Sequence, residues 1–377
     1  MDLDERFKLI TKDTEEIITE KDLIELLKSE TKLKHYIGFE ISGKIHLGTG
    51  LVTMLKVKDL MKANVETTIF LADWHSWIND KLGGDREKIK RAAVGYFKEG
   101  MKASLKCIGG DPEKIKFVLG SDLYHNNDEY WATVIEVSKH TTLARIKRSI
   151  TIMGRKEGES VDFAKLIYPP MQVADIFFQG IHLPHAGLDQ RKAHVIAKEV
   201  ALKLKIYPLL NEKSEKIKPV PIHTHLILGL GKPPIWPIPK DKLQELWSAL
   251  KMSKSKPDTC IFIHDSEDEI RKKIKNAFCP QAEINFNPIL DWVKHLIFID
   301  GKSELFVERS ERFGGNLTYY SYKDLEKDFK EKKLHPMDLK NAVAERIIKI
   351  LEPARKHFEK PKVKRLLREL KEMTITR

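Results

Sequence analysis

Tyr36-Ile37-Gly38-Phe39, Ser42-Gly43 and His46-Leu47-Gly48-Thr49-Gly50 follow one another within fifteen positions, 36–50. The first four residues read as a short strand and Ser42-Gly43 as a turn. Leu47, Leu51, Met54, Leu55 and Leu60 then recur at helical spacing, which starts a helix near Leu47. Thr67 to Ala72 (TTIFLA) reads as a buried strand. Strand, turn, helix, strand opens a parallel α/β sheet.

The same reading extends in both directions. Upstream, Thr19 with Asp22 has the look of a capping box before the apolar-periodic Leu23 to Leu27. Downstream, 86–106 and 129–154 are long helical patterns with a strand, Ile115 to Leu119, between them. Met171 to Gln179 and Gln190 to Leu204 continue the alternation of helix and strand. Pro219 to Leu230 reads as the last strand of the sheet, and the proline-rich Lys232 to Lys242 as a surface insertion. From Asp265 on, the pattern is helical and charged without strong strands. The expected architecture is a Rossmann-type parallel-sheet catalytic domain over 1–264, with a helical insertion at 86–155. A mostly α-helical domain over 265–377 follows.

Composition sets limits. The chain has 377 residues, 41% hydrophobic and 32% charged, enough apolar material for a large core. No stretch approaches a membrane span, and the N-terminus lacks an apolar signal core. A net charge of +12 permits a polyanionic partner without requiring one. Cys107, Cys260 and Cys279 are widely spaced, which fits a reducing cytoplasm and neither a disulfide framework nor a zinc site. His223 and His225 alternate along a strand, but no Cys or carboxylate stands beside them in sequence, so no metal is expected there.

Two segments carry chemistry. His46 to Gly50 sits where a strand gives way to a helix, a place where free backbone N–H groups and the helix dipole attract phosphate. A His there can hydrogen-bond a phosphate oxygen as charge builds. Lys251-Met252-Ser253-Lys254-Ser255-Lys256-Pro257 places three lysines and two hydroxyls in one loop, suited to a polyphosphate. Farther up the chain, Gln172 and Asp175 are three apart and share a helix face. An Asp inside so apolar a helix is costly to bury unless hydrogen-bonded, which favours a ligand role.

Together these segments resemble the two signatures of class I aminoacyl-tRNA synthetases. His46-Leu47-Gly48-Thr49 is similar to HIGH, with Thr49 in place of the second His, and Lys251 to Ser255 spells KMSKS. Tyr168-Pro169-Pro170-Met171-Gln172-Val173-Ala174-Asp175 resembles the amino-acid-binding helix of tyrosyl-tRNA synthetases, and Gly187-Leu188-Asp189-Gln190-Arg191-Lys192 their ribose-binding segment. The resemblance is to the archaeal/eukaryotic type and runs through nearly the whole chain. It is weakest around Lys213 to Leu250 and after Lys360.

The resemblance implies activation of tyrosine by ATP, with Mg2+ accompanying the nucleotide and no tightly bound cofactor, and transfer to tyrosine tRNA. It assigns catalysis to His46, Lys251 and Lys254. ATP falls to Gly48, Thr49, Gly187, Asp189, Met252 and Ser253. Tyr36 and Asp175 would hold the phenol hydroxyl, Tyr168, Gln172 and Gln190 the α-amino group, and His75 would line the pocket. Arg148, Arg191 and Lys192 would lie near the first acceptor base pair, though each could be a phosphate contact or plain surface. Phe313 would stack on the first anticodon base. His335-Pro336-Met337-Asp338 would read that base, with Asp338 accepting from guanine. As a bland alternative, Asp338 caps a helix. The 86–155 region would build a homodimer. Tryptophanyl enzymes share this subclass but do not need the Tyr36/Asp175 pair. A small-molecule nucleotidyltransferase would not need the C-terminal domain.

Overall fold

A computed structural model of the chain describes residues 1–238, 247, 249–299 and 303–375. Its main sheet has six strands in the order β1 (Glu16–Ile17), β6 (Ile222–Thr224), β5 (Leu183–Gly187), β2 (Lys34–Phe39), β3 (Glu66–Leu71) and β4 (Lys116–Leu119). β1 runs antiparallel to β6, and every other neighbouring pair is parallel. From β2 the chain steps outward through β3 to β4, then crosses over to β5 and β6 on the opposite side. The order therefore reverses between β2 and β5, and an open α/β sheet leaves its ligand crevice at the carboxyl ends of such strands.

Helices cover both faces, so β3 is buried at all but its first residue, as a central parallel strand must be. Alternation along β2 sends Ile37 and Tyr36 to opposite faces. Ile37 joins Leu47, Met54, Tyr96 and Met101 in one apolar cluster that continues into Ile270, Trp292, Ile347 and Phe358 of the C-terminal part. Tyr36 joins Phe70, Tyr124, Tyr130, Phe177 and Ile196 in the other.

The helix expected from Leu47 starts as a wide turn, Gly48–Val52, and continues as Thr53–Lys62. A Cβ on Gly50 would stand 2.7 Å from Ser104 Oγ, so only glycine lets this turn lie against the Lys98–Cys107 helix. The 86–106 pattern is one helical run with a wide turn at Ala93–Phe97. The 129–154 pattern instead breaks after Lys139, and Thr142 caps a second helix, Leu143–Ser149, by accepting from Arg145 N. The helix expected from Met171 begins earlier, at Phe163, where Asp162 accepts from Lys165 N. Pro169 and Pro170 lie inside it and leave two carbonyls one turn back without their usual donors.

Within Pro219 to Leu230 only Ile222–Thr224 is strand. Of the proline-rich stretch, 239–242 lie outside the described residues. The Thr19 side chain accepts from Asp22 N, while a full reciprocal capping box occurs at Ser266 and Glu269, opening the Glu267–Lys275 helix. The C-terminal part is mostly helical and also carries an antiparallel pair, β7 (Leu305–Val307) and β8 (Leu317–Tyr319). At three residues each, these strands are too short to display alternation. Helices Pro336–Glu359 and Pro361–Ile375 fold back on the 86–107 run, where the rings of Phe358 and Tyr96 lie 5.5 Å apart. Among the described residues, no helix is long and apolar enough to cross a membrane.

Candidate active site

A cavity of about 330 Å³ opens at the carboxyl ends of β2 and β5. Every residue assigned above to catalysis, ATP or tyrosine lines it: His46, Gly48, Thr49, Gly187, Asp189, Met252, Ser253, Lys251 and Lys254, with Tyr36, His75, Tyr168, Gln172, Asp175 and Gln190. They come from β2 and the turn and helix after it, the Asp73–Ile78 helix after β3, β5 and the short helix after it, the Phe163–Phe178 helix and the 251–254 loop, so the fold converges segments that are far apart in sequence.

At its deep end lies the Asp175 carboxyl, 1% exposed. Its Oδ1 accepts from the hydroxyls of Tyr124 at 2.9 Å and Tyr130 at 3.0 Å, and those two rings stack at 4.2 Å. Burial pushes the acid up to about 8, against the pull of the two hydroxyl donors. Oδ2 stands 3.6 Å from His75 Nε2 and faces the cavity, beside Tyr36. Burial holds the His75 imidazole down at about 3, so it is neutral, and neither ring nitrogen has a hydrogen-bond partner among the described residues. Tyr124 and Tyr130 escaped the sequence reading because they reach Asp175 from a separate segment with no local signature.

One step toward the mouth, polar groups converge. Tyr168 donates to Glu40 Oε1 at 3.0 Å, Asn79 donates to the same oxygen at 2.8 Å, and Lys81 pairs with Oε2 at 3.1 Å. Gln172 Nε2 donates to Gln190 Oε1 at 3.3 Å, while Gln172 Oε1 is buried without a donor among the described residues. Gln190 Nε2 in turn donates to Ile152 O at 2.8 Å. A cationic amine fits this acceptor-rich corner. Glu40 was also missed, although its place at the end of β2 is the signal that could have found it.

The outer end is cationic. Thr49 N donates to His46 Nδ1 at 3.3 Å, so the hydrogen sits on His46 Nε2, 3.2 Å from Thr49 Oγ1. Burial and the Lys254 and Lys251 charges hold this imidazole down at about 3. Lys251 Nζ is ion-paired with Asp189, and Lys254 Nζ donates to the Ser42 hydroxyl. Desolvation lowers Lys254 to about 8. A Cβ on Gly187 would fall 2.6 Å from Leu226 and 2.9 Å from Asp189 Oδ1, which keeps this corner open only to glycine.

The remaining candidates lie outside the cavity. Arg148, Arg191 and Lys192 are exposed, with Lys192 donating to Arg148 O at 2.8 Å and Arg191 paired with Glu16 at 2.8 Å. Phe313 is 65% exposed beside Gly314 and Gly315. Arg309 donates to both Gly315 O and Lys333 O at 2.9 Å, which ties the Phe313 loop to the segment leading into the Pro336–Glu359 helix. His335 caps that helix by accepting from Met337 N at 3.1 Å, and Asp338 sits within the first turn. The capping alternative for Asp338 is thus corrected: the chain enters the helix at Pro336, so the cap falls one residue earlier.

His223 and His225, beside which the sequence places no carboxylate, gain acidic partners in the fold. Glu16 lies 3.0 Å from His223, and Glu15 and Asp291 each 2.7 Å from His225, all distant in sequence. Glu15, His225 and His295 come close enough to share an ion. The two rings stack with planes 12° apart, however, and one ion cannot lie in both ring planes.

Comparison with known proteins agrees with this geometry. Residues 28–352 match the tRNA synthetases class I (W and Y) family. The chain is 58% identical over 374 residues to the tyrosine–tRNA ligase of Thermococcus kodakarensis, covering 98% of this chain and 99% of that one. The crystal structure of a tyrosyl-tRNA synthetase from Pyrococcus horikoshii, complexed with L-tyrosine, superposes with a TM-score of 0.95 at 56% identity, over 98% of this chain and 100% of that one. The Aeropyrum pernix tyrosyl-tRNA synthetase gives 0.81 at 40% identity, over 99% and 100%. A tryptophanyl-tRNA synthetase from Aeropyrum pernix, at 17% identity and 0.64, shares the fold. With a family match over most of its length and full-length relatives above half identity, this chain belongs to the class I tRNA synthetases, among the tyrosine–tRNA ligases of archaeal type.

Proposed function

We infer that the chain is a tyrosine–tRNA ligase, which makes tyrosyl-adenylate from tyrosine and ATP and passes the tyrosyl group to the 3′-terminal adenosine of tyrosine tRNA. The observation that carries the amino-acid choice is the half-used Asp175 carboxyl. Tyr124 and Tyr130 occupy Oδ1, and Oδ2 is left facing a cavity that also contains Tyr36. A phenol hydroxyl entering there hydrogen-bonds with Asp175 Oδ2 and Tyr36. An indole, with its N–H on a wider ring system, has no use for a donor at Tyr36. Sites that hydrogen-bond a substrate hydroxyl reject the analogue lacking it by roughly 10⁴-fold or more, tyrosyl enzymes being the known example.

With the phenol at Asp175, the α-amino group meets Tyr168, Gln172, Gln190 and Glu40, and the carboxylate points toward His46. That carboxylate is already a nucleophile. Its oxygen attacks the α-phosphorus, a C–O–P bond forms, and the bond to the β-phosphate oxygen breaks with departure of pyrophosphate. Catalysis is then positioning and charge stabilisation. His46 Nε2–H donates to the α-phosphate as charge builds, and Lys251 and Lys254 follow the β- and γ-phosphates. Gly48, Thr49, Met252 and Ser253 border the nucleotide, and Asp189 takes the ribose hydroxyls. Mg2+ arrives with ATP and is held by its phosphates. In the second step a ribose hydroxyl of the tRNA attacks the adenylate carbonyl and AMP leaves.

For tRNA, the reading divides the chain at residue 265. Arg148, Arg191 and Lys192 form the acceptor-end rim of the catalytic unit. Phe313, His335 and Asp338 serve the anticodon, Phe313 by stacking and Asp338 by accepting from guanine. The exposed Ile135 and Leu143 lie in the 86–155 region through which a homodimer would form, and light scattering that finds only monomer at micromolar concentration contradicts that part. A site in the cytoplasm follows from the reaction, where its tRNA and ATP are. Charging of tyrosine tRNA with labelled tyrosine tests the reading: tyrosine is attached in an ATP-dependent way, whereas no attachment, or attachment of tryptophan instead, overturns it.

A further inference from the structure

The wall of the cavity includes a half-buried group that the reaction above leaves unused. His225 follows β6, with Nδ1 2.7 Å from Glu15 Oε1 and Nε2 2.7 Å from Asp291 Oδ1. Ionised carboxylates only accept, so both ring nitrogens carry hydrogen and the ring is an imidazolium. Desolvation works against that charge, and the hydrogen bonds to Asp291 and Glu15 override it, raising the group to about 9. His295 stacks on the ring at 3.8 Å and stays neutral, lowered to about 4 by burial first and then by the His225 charge. The Lys294 charge also lowers His295, and Asp13, Lys56 and Asp59 border the small cavity that His225 and His295 share.

What this clamp holds is the strip after His225. Asp291 Oδ2 accepts from Leu228 N at 2.8 Å, and Trp292 Nε1 donates to Leu228 O at 2.8 Å. Leu228 is bridged to Lys251, Met252 N donates to Ile227 O at 2.7 Å, and Gly229 N donates to Leu250 O at 2.8 Å. The strip is thus pinned on one edge by the C-terminal part and carries on the other the segment that delivers Lys251 and Met252 to the cavity. Without the imidazolium at 225 the two-sided grip on Glu15 and Asp291 is lost, which loosens Asp291, the residue that holds the strip.

We propose that His225, gripped between Glu15 and Asp291, is a positioning residue for amino-acid activation, fixing through Leu226 to Gly229 the register of Lys251 and Met252 against the nucleotide. It touches no reacting atom, and the proposal rests on the activation chemistry inferred above. Two variants test it by tyrosine-dependent ATP–pyrophosphate exchange: His225→Gln, and Glu15→Gln, whose side chain is 40% exposed and so is milder to replace. The expected result for His225→Gln is an exchange kcat lower by about tenfold or more, with tyrosine KM within about twofold of wild type. Glu15→Gln removes one carboxylate from the ring, so the fall of kcat at alkaline pH moves to lower pH. If His225→Gln does not fold, the Glu15→Gln profile decides alone. Unchanged kcat with an unmoved pH profile, or a loss confined to tyrosine KM, overturns the proposal while the ligase reading stands. Wild-type protein without tyrosine-dependent exchange overturns both.

Discussion

Lys251 and Asp189 form an ion pair across the outer end of the cavity, so the loop cation and the ribose-side carboxylate neutralise each other before nucleotide arrives. In the proposed mechanism ATP parts them, the ammonium going to phosphate and the carboxylate to the ribose. Asp189→Ala removes the carboxylate and its hydrogen bonds, and the ATP KM rises about tenfold, the worth of roughly one charged hydrogen bond. Tyrosine affinity without ATP, read by equilibrium dialysis, stays the same. An ATP KM that does not move places the ribose elsewhere.

Lys254 is the second cation, lowered to about 8 by desolvation. Its charge is therefore present below that value and lost above it. The kcat/KM for ATP, which reports the free enzyme, falls as pH rises through about 8. In Lys254→Arg the guanidinium does not titrate, and this limb disappears or shifts upward. A Lys254→Arg profile that superposes on wild type contradicts the role.

Tyr124→Phe removes one of two donors on Asp175 Oδ1 and leaves the packing of the ring. With one donor gone, the acid is less firmly held and its ionised form less favoured. Tyrosine-dependent kcat/KM drops by about 1.5–3 kcal/mol equivalent, and the preference over phenylalanine narrows. Asp175→Ala narrows it further. Selectivity unchanged in both variants removes this carboxyl from the recognition site.

Stability carries the same signature. Burial raises the Asp175 carboxyl from 3.8 to about 8, so between those values the native chain keeps a proton that the unfolded chain has lost. Its contribution is therefore full at low pH and declines as pH rises through that window. Thermal melting of ligand-free Asp175→Asn is expected to show a flatter pH dependence from about 4 to 8 than wild type. A curve parallel to wild type means that Asp175 is ionised throughout.

At the far end of the molecule, Asp338→Ala reduces charging of native tyrosine tRNA by about 1–3 kcal/mol equivalent, the scale of a good base contact. Tyrosine activation is unchanged, and the variant no longer distinguishes bases at the first anticodon position. His335→Ala, which also removes the cap, lowers the melting temperature in addition. Full preference for guanine in Asp338→Ala assigns the reading to another residue.

The parallel sheet was legible in the sequence because its central strands announce themselves. Thr67 to Ala72 is almost uninterrupted apolar and β-branched sequence, and the turn at Ser42-Gly43 is followed at once by helical spacing. Sequence reading faltered where context decides. His140 to Thr142 break a pattern that is helical on both sides, and β1, β7 and β8 are too short to show a period. The cavity gathers the motif residues, since each belongs to a strand end, a loop or a helix with a local signature. Glu40 stands at the end of β2 outside any motif, and Tyr124, Tyr130 and Asp291 have no local signature: each acts through a partner at least 45 positions away, and only the folded chain brings them together.

The most direct measurement is ATP–pyrophosphate exchange with each of the twenty amino acids in turn, on the wild-type protein without tRNA. Tyrosine alone should stimulate exchange, with phenylalanine and tryptophan at background. Exchange driven by tryptophan and not by tyrosine, or by none of the twenty, would contradict the assignment of Asp175 and Tyr36 as the readers of a phenol.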